Sequence, residues 1–208
     1  MRIASFDGLR GLSSRGLMAL LLCICLQWTV ARDDVGWLRA WQALLASGAQ
    51  TEAEKLLRVN AYINQAVRFA SDETVWRQPD YWATPAETLQ RGAGDCEDFS
   101  IAKYISLRRL GVAEEKLRLI YVKAQRGEAA SQAHMVLGYY AGPGSEPLIL
   151  DNLTPDILPA SRRADLIPVF SFNSEGLWAG GVRASRTPAA RLSRWRDLLA
   201  RLDDPLPL

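Results

Sequence analysis

Cysteine and histidine are scarce in this chain of 208 residues, which contains three cysteines and one histidine. Two of the cysteines, Cys23 and Cys25, lie in an apolar segment near the N-terminus. If that segment is removed, Cys96 is the one cysteine left, and an internal disulfide is excluded. Any chemistry that pairs a thiol with an imidazole must then use Cys96 and His134, because the sequence offers no other candidates.

The N-terminal segment has the features of a secretory signal peptide. Arg2, Arg10 and Arg15 form a basic lead. The apolar run over residues 16–30 that follows is too short for a comfortable membrane span. Small or β-branched residues occupy 29–31, so we expect cleavage after residue 31 and no stable membrane insertion afterwards. An uncleaved membrane anchor is the alternative interpretation.

Neither acidic nor basic residues predominate in the expected mature chain. Residues 1–31 contain three arginines and one aspartate, and their removal leaves equal numbers of basic and acidic residues. This balance gives no indication of nucleic-acid binding. An exported protein meets an oxidising compartment, where a lone thiol such as Cys96 is a liability unless it is buried or used. The length of 32–208 suits a single domain, with 186–208 as a peripheral C-terminal tail or helix.

Helical patterns come first and strand patterns follow. Thr51 and Thr84 each precede a glutamate by three positions, a capping-box pattern that opens a helix. The pattern predicts a helix over 34–46, a second from Thr51 to about Val67, a short helix from Thr84 to Gly92, and strands over 117–124, 133–140, 148–151, 166–172 and near 180–184. Residues 191–202 are predicted to form a terminal helix or a loosely packed tail. This order indicates an α+β domain in which a central helix packs on an antiparallel sheet.

The stretch from Gly94 to Tyr104 combines a cysteine with a predicted helix start. Phe99, Ala102 and Ile105 recur at helical spacing, so Cys96 is placed at or near the N-terminus of a mostly buried helix. The positive end of a helix favours a thiolate and lowers the pKa of the thiol. The alternative is a small apolar side chain that fills a gap in the core.

His134 and Asp151 are expected to lie near each other on one sheet face. With a hairpin turn near Pro143-Gly144, Asp151 falls opposite about residue 136, which makes it a diagonal neighbour of His134. The carboxylate could then accept the imidazole N–H and orient the ring. A register error of one residue would put the two on opposite faces, and Asn152 would be the substitute. A turn residue that ends a strand is the alternative role of Asp151.

Asp95, Glu97 and Asp98 surround the cysteine with negative charge. Acidic residues are favoured at a helix N-terminus, and Asp95 could serve as the cap. Three anions would also raise the pKa of a nearby thiol, so a compensating positive charge is expected. Calcium suits clustered carboxylates better than zinc does, since no cysteine or histidine is spare as a ligand. The residues alone leave both interpretations open.

Several blocks in order resemble the bacterial transglutaminase-like cysteine proteinases, over about Trp37 to Trp178. The blocks are YWATP from Tyr81, GDCEDF from Gly94, LRLIYVK from Leu117, AHMVL from Ala133 and LILDNL from Leu148. The resemblance implies a papain-like, transglutaminase-type core and a catalytic triad of Cys96, His134 and Asp151. It also implies dependence on calcium, with Asp95, Glu97 and Asp98 as ligands.

The resemblance further implies a biological role in the periplasm. The implied substrate is the N-terminal region of a large surface adhesin, cut at a paired-alanine site, so that the adhesin is released and the biofilm disperses. The implied partner is the periplasmic domain of an inner-membrane receptor for cyclic di-GMP. Trp82 is expected to wall the cleft, and Cys96 N–H, with Tyr81 or Trp82, to stabilise the oxyanion. The alternatives are an amidase or transglutaminase acting on cell-wall peptides, and a non-catalytic module that docks on a receptor.

Overall fold

Helices precede strands along the chain, as the sequence patterns predict. The computed structural model describes residues 34–48, 50–125, 131–180, 182–186 and 192–202, so the predicted signal peptide lies outside the described residues. The helices are α1 (Asp34–Ala46), α2 (Glu52–Ala66), α3 (Asp72–Val75), α4 (Pro85–Arg91), α5 (Cys96–Arg109) and α6 (Ser193–Ala200). None of the helices within these ranges is long and apolar enough to cross a membrane.

The predicted helix starts at Thr51 and Thr84 are present. In α2 the Thr51 hydroxyl accepts from the Glu54 N–H, and the Glu54 carboxylate accepts from the Thr51 N–H. Thr84 and Glu87 cap α4 in the same way, with Pro85 in its first turn. Each box satisfies backbone donors that the helix itself cannot pair. These local signals explain why both starts were readable from the sequence.

Helix α5 lies at the centre of the fold and carries Cys96 as its first residue. Twelve of its fourteen side chains are buried, and half of these twelve are polar or charged: Glu97, Asp98, Ser100, Lys103, Ser106 and Arg108. The hydroxyl of Ser100 donates to the backbone oxygen of Met135 at 2.9 Å and so ties the helix to the strand that carries His134. Gly111 follows the helix with φ of +80°, a conformation that glycine adopts without strain.

The strands of the described chain are β1 Arg68–Phe69, β2 Ala93–Gly94, β3 Leu117–Ala124, β4 Gln132–Tyr139, β5 Leu148–Leu150, β6 Leu158–Pro159, β7 Leu166–Phe172, β8 Leu177–Ala179 and β9 Val182–Ser185. Seven of them form an antiparallel sheet in the order β6-β5-β4-β3-β7-β8-β9. The α+β prediction is therefore confirmed. The strand predicted near 180–184 corresponds to β9, which begins two residues later than predicted, whereas β8, on the other side of Gly180, was not predicted. The φ of +56° at Gly180 is one that glycine adopts without strain.

A second, parallel pair of two-residue strands, β1 (Arg68–Phe69) and β2 (Ala93–Gly94), was not predicted. Its length leaves no readable alternation in the sequence. Backbone bonds from Arg68 N–H to Gly92 O (3.0 Å) and from Ala70 N–H to Gly94 O (2.9 Å) complete the pair. The pair fixes the segment before α3 against the segment before α5, so residues near 70 and 95 become neighbours.

The C-terminal helix α6 is part of the core. Trp195 and Leu198 are fully buried, and the Trp195 ring packs edge-on against Tyr104 and Phe172 at 5.5 Å between centroids. The expectation of a peripheral segment is therefore wrong for these two side chains. The helix is short and its exposed face is polar, so its sequence pattern does not indicate that Trp195 is buried.

Candidate active site and metal centre

Cys96 and His134 line the same cleft, which has a volume of about 360 Å³. Helix α5 presents the cysteine at its N-terminus, and β4 presents the histidine near its start. The cleft wall is completed by Phe69, Ala124, Gln132, Ala133, Asn152 and Leu153. The fold thus brings together the thiol and the imidazole that the sequence singled out, across a gap of 38 positions.

His134 is hydrogen-bonded to Asp151, with Nε2 and Oδ1 2.8 Å apart. The β4–β5 register pairs Leu137 with Leu150 and Gly138 with Ile149, which is the register that the turn near Pro143-Gly144 predicts. Asp151 follows β5 directly and is 1% exposed. Since an ionised carboxylate only accepts, Nε2 carries the proton and Nδ1 is the ring nitrogen available as a base.

Asp151 is held as a carboxylate. Burial raises its pKa, but hydrogen bonds from His134, Arg163 and the Leu153 N–H outweigh burial and lower the pKa to about 2. Arg163 was not identified from the sequence. It lies 12 positions from Asp151, outside any motif, and only the folded sheet brings the two together. Asn64 on α2 also donates to the Asp151 backbone oxygen at 2.9 Å.

The Cys96 thiol donates to Glu97 Oε2 at 2.8 Å. Burial raises the pKa of the thiol far above its ordinary value, and the charges of Glu97 and Asp95 raise it further, against a smaller lowering by the Met135 backbone. The expected lowering by the helix end is therefore overridden in the protein without a metal, because burial and, after it, charges at short range outweigh the partial charge of a helix terminus.

Five carboxylates, rather than three, gather beside the cysteine. The predicted ligands Asp95 and Asp98 have carboxylate oxygens within 4.8 Å of Asp72, and Glu97 lies equally close to both Asp72 and Asp80. Sequence reasoning missed Asp72 and Asp80, which come from α3 and from the loop after it. No spacing signal marks them, since the β1–β2 pairing is what places Asp72 beside α5.

The acidic cluster suits a divalent cation. Burial, followed by the neighbouring charges, raises the pKa of Asp95 to about 9. Burial likewise raises the pKa of Asp98 to about 8 and that of Asp72 to about 6. Each of these side chains also has one buried oxygen that no protein donor reaches. Carboxylates that resist ionisation and lack donors match the oxygen-rich, highly charged coordination of calcium.

Gly94 makes room for one of these carboxylates. A Cβ at this position would lie 2.4 Å from Asp98 Oδ2, a distance that no side chain could occupy. The other oxygen, Oδ1, accepts from the Ala83 N–H at 2.9 Å. The glycine before the cysteine, which the sequence showed only as a helix-breaking residue, therefore also shapes the cluster.

The expectation that Trp82 walls the cleft is wrong. Trp82 is buried against Phe172, with 5.8 Å between ring centroids, and does not line the cleft; the exposed aromatic ring at the cleft is Phe69. The side-chain donors of Tyr81 and Trp82 are hydrogen-bonded within the protein, since Tyr81 Oη donates to Glu87 and Trp82 Nε1 donates to Asp80. The Cys96 backbone N–H at the start of α5 remains the candidate oxyanion donor.

Comparisons with known proteins agree on a family. A family model described as "Bacterial transglutaminase-like cysteine proteinase BTLCP" matches residues 39–166. The solved structure of Legionella pneumophila LapG is 40% identical with a TM-score of 0.71, covering 81% of this chain and 89% of that one.

The calcium-bound structure of Legionella pneumophila LapG is 38% identical with a TM-score of 0.72, covering 88% of this chain and 97% of that one. The EGTA-treated structure of the same protein is 39% identical, with the same TM-score and coverage of 81% and 89%. No curated protein matches. With its buried His134–Asp151 pair facing the cleft of Cys96, the chain belongs to the bacterial transglutaminase-like cysteine proteinase family.

Proposed function

We propose that this protein is a calcium-dependent cysteine endopeptidase with Cys96, His134 and Asp151 as its catalytic triad. One observation carries the proposal: Cys96 and His134 face one cleft, and His134 Nε2 is hydrogen-bonded to Oδ1 of the buried Asp151 at 2.8 Å. This is the arrangement of nucleophile, base and orienting carboxylate that acyl transfer requires.

In this mechanism His134 Nδ1 accepts the Cys96 proton while Sγ attacks the carbonyl carbon of the scissile peptide. The Cys96 backbone N–H stabilises the oxyanion of the tetrahedral intermediate. His134 then gives the proton to the leaving amine, and an acyl-enzyme remains on Cys96. Water, deprotonated by the same imidazole, releases the acyl group and restores the thiol. Asp151 holds the Nε2–H tautomer throughout and stabilises the imidazolium.

The residues that would hold calcium are Asp95, Glu97 and Asp98, joined by Asp72 and Asp80. When bound, the ion supplies positive charge that offsets the carboxylates beside Cys96. Glu97 is central to this dependence, since its carboxylate accepts the hydrogen bond from the Cys96 thiol and belongs to the same acidic group. The calcium-bound structure of the Legionella relative supports this part of the proposal.

The proposed substrate is the N-terminal region of a large surface adhesin, cut between or beside paired alanines in the periplasm. Cleavage would release the adhesin and disperse the biofilm, under control of the periplasmic domain of a cyclic di-GMP receptor. Support comes from the family resemblance and the signal-like N-terminal segment.

The decisive experiment incubates residues 32–208 with a recombinant adhesin fragment that contains paired alanines, with products identified by mass spectrometry. Cleavage at the alanines is expected in calcium and none in EGTA. Cys96→Ala is expected to abolish cleavage while keeping the thermal midpoint, because the thiol acts chemically. Full activity in EGTA would remove calcium from the proposal, and cleavage by Cys96→Ala would remove the triad.

The same experiment addresses the alternatives. An amine-linked product would indicate a transglutaminase, and a cut muropeptide in a parallel incubation with cell-wall peptides would indicate an amidase. A non-catalytic docking module predicts that Cys96→Ala preserves the release of adhesin from cells. The proposed triad argues against that last alternative.

A further inference from the structure

Both oxygens of the Asp151 carboxylate are engaged, each by a different element. Oδ1 accepts from His134 Nε2 at 2.8 Å and from the Leu153 N–H at 3.1 Å. Oδ2 accepts from Arg163 Nη2 at 2.7 Å. A carboxylate bonded on both oxygens cannot rotate freely about its Cβ–Cγ bond. The orientation of Oδ1 toward the imidazole therefore depends on Arg163.

Arg163 is itself braced. Its Nε and Nη2 donate to the two carboxylate oxygens of Asp165 at 2.9 and 2.8 Å, a bidentate pairing that fixes the plane of the guanidinium. The Arg163 side chain is only 6% exposed. Backbone bonds hold the segment as well, since Arg163 N–H reaches Ala160 O and Gln125 N–H reaches Asp165 O. The arginine reaches Asp151 already oriented.

The topology explains why this residue can serve the site. The chain leaves the edge strand β6, passes β5, β4 and β3, and enters the sheet again as β7. Arg163 lies on this crossover, directly after the 3-10 helix Ala160–Arg162. It also lines a cavity of about 430 Å³ that includes Val136, Ile149 and Ala160 and contains neither Cys96 nor His134.

The ion pair between Arg163 and Asp151 also affects the charge of the active site. The Asp151 carboxylate is fully buried, and the charged or titratable groups that face it are His134, Arg163 and, on α5, the buried Lys103. Asp165 faces Arg163 from the other side. A buried carboxylate that had only a neutral imidazole as partner would be costly to keep ionised. Arg163 allows Asp151 to stay ionised while His134 is neutral, which is the state that a base needs before it accepts a proton.

We propose that Arg163 is a positioning residue of this active site, which holds Asp151 ionised and turned toward His134. The inference rests on the proposed triad and goes beyond it, because Arg163 acts through Asp151 and lines a different cavity. Loss of Arg163 should act on kcat, since it disturbs the base and leaves the substrate cleft untouched.

The first test compares Arg163→Ala with Arg162→Ala, a control that removes an exposed arginine from the same crossover. Cleavage of the adhesin fragment in calcium should lose about 100-fold in kcat in Arg163→Ala, with KM changed less than about twofold. Arg162→Ala should match the wild type. Because Asp151 loses a donor, its pKa rises, and the acidic limb of the kcat profile should move to higher pH.

Chemical rescue separates positioning from a structural role. Arg163→Ala enlarges a cavity that already exists, so guanidinium ion at millimolar concentration should enter and restore part of the lost kcat. His134→Ala should gain nothing, and a merely destabilised protein would lose activity further in guanidinium. Arg163→Lys, which keeps the charge without the bidentate fork, should fall between alanine and wild type.

A spectroscopic test needs no substrate. His134 is the one histidine of the chain, so its two ring nitrogens give unambiguous ¹⁵N signals. Wild type should show a single Nε2–H tautomer, and Arg163→Ala a mixture. An unchanged tautomer, or unchanged kcat, overturns the inference. If Arg163→Ala fails to fold, Asp165→Asn, which removes the brace and leaves Arg163 in place, should show the same changes in weaker form or refute it. If wild type cleaves no adhesin fragment, the proposed function fails while the tautomer result still stands.

Discussion

Calcium should stabilise this protein more as the pH rises, and the acidic cluster determines by how much. In the metal-free protein the pKa of Asp98 is about 8 and that of Asp95 about 9, both raised mainly by burial. Both groups therefore carry a proton near neutral pH when the protein is folded, and release it on unfolding, since ordinary aspartates ionise near pH 4. The folded form binds more protons, so metal-free stability falls as the pH rises toward these values.

The magnitude follows from the number of protons. Each proton released on unfolding costs about 1.4 kcal/mol of stability per pH unit. The proton on the fully buried Asp98 contributes its whole share to the pH dependence of the free energy of unfolding. The contribution of Asp95 is left out, because this side chain is partly exposed and solvent screens its charge. From about pH 6 to about pH 7.5 the metal-free protein should lose about 2 kcal/mol. In excess calcium both carboxylates are ionised in the folded state, and this loss disappears.

The assay is thermal unfolding in calcium-free buffer and in excess calcium at both pH values. For a domain of this size 1 kcal/mol corresponds to about 2–4 °C, so the calcium-induced shift should grow by about 4–8 °C between the two pH values. Asp98→Asn should remove most of that growth, because the amide does not titrate. Glu115→Gln, an exposed acid outside the cluster, should leave it unchanged. A calcium shift of equal size at both pH values would refute the reasoning.

Two further substitutions test how the fold supports the site. Gly94→Ala should displace the Asp98 carboxylate, since the new methyl group would lie 2.4 Å from Oδ2. The calcium affinity measured by calorimetry should then drop at least tenfold. The control Gly142→Ala, whose new methyl group meets no atom within 4 Å, should bind calcium as the wild type does. Trp195→Ala should lower the free energy of unfolding in urea by about 3–5 kcal/mol, because the ring is fully buried. Arg196→Ala, at an exposed position of the same helix, should lower it by less than about 0.5 kcal/mol. A loss at Trp195 no larger than that of the control would mean that α6 is not part of the core.

Much of the secondary structure could be predicted because the sequence signals for it are local. The capping boxes at Thr51 and Thr84, the buried helix after Gly94 and the strand over 117–124 each depend on residues within one turn or one pairing of each other. The contact between His134 and Asp151 followed from the same kind of signal. A hairpin turn fixes the register, and the register fixes which side chains share a face.

The α+β order, the choice of Cys96 and His134 as the thiol and imidazole, and the acids flanking the thiol could therefore be predicted from the sequence. Only the folded structure shows that Asp72 and Asp80 join those acids, that Arg163 holds Asp151, and that burial is the largest cause of the raised pKa of the metal-free thiol. The physical reason is that charge and burial act through space. Side chains far apart in the sequence together shift the pKa of one group in the folded protein, and no spacing pattern in the sequence predicts their combined effect.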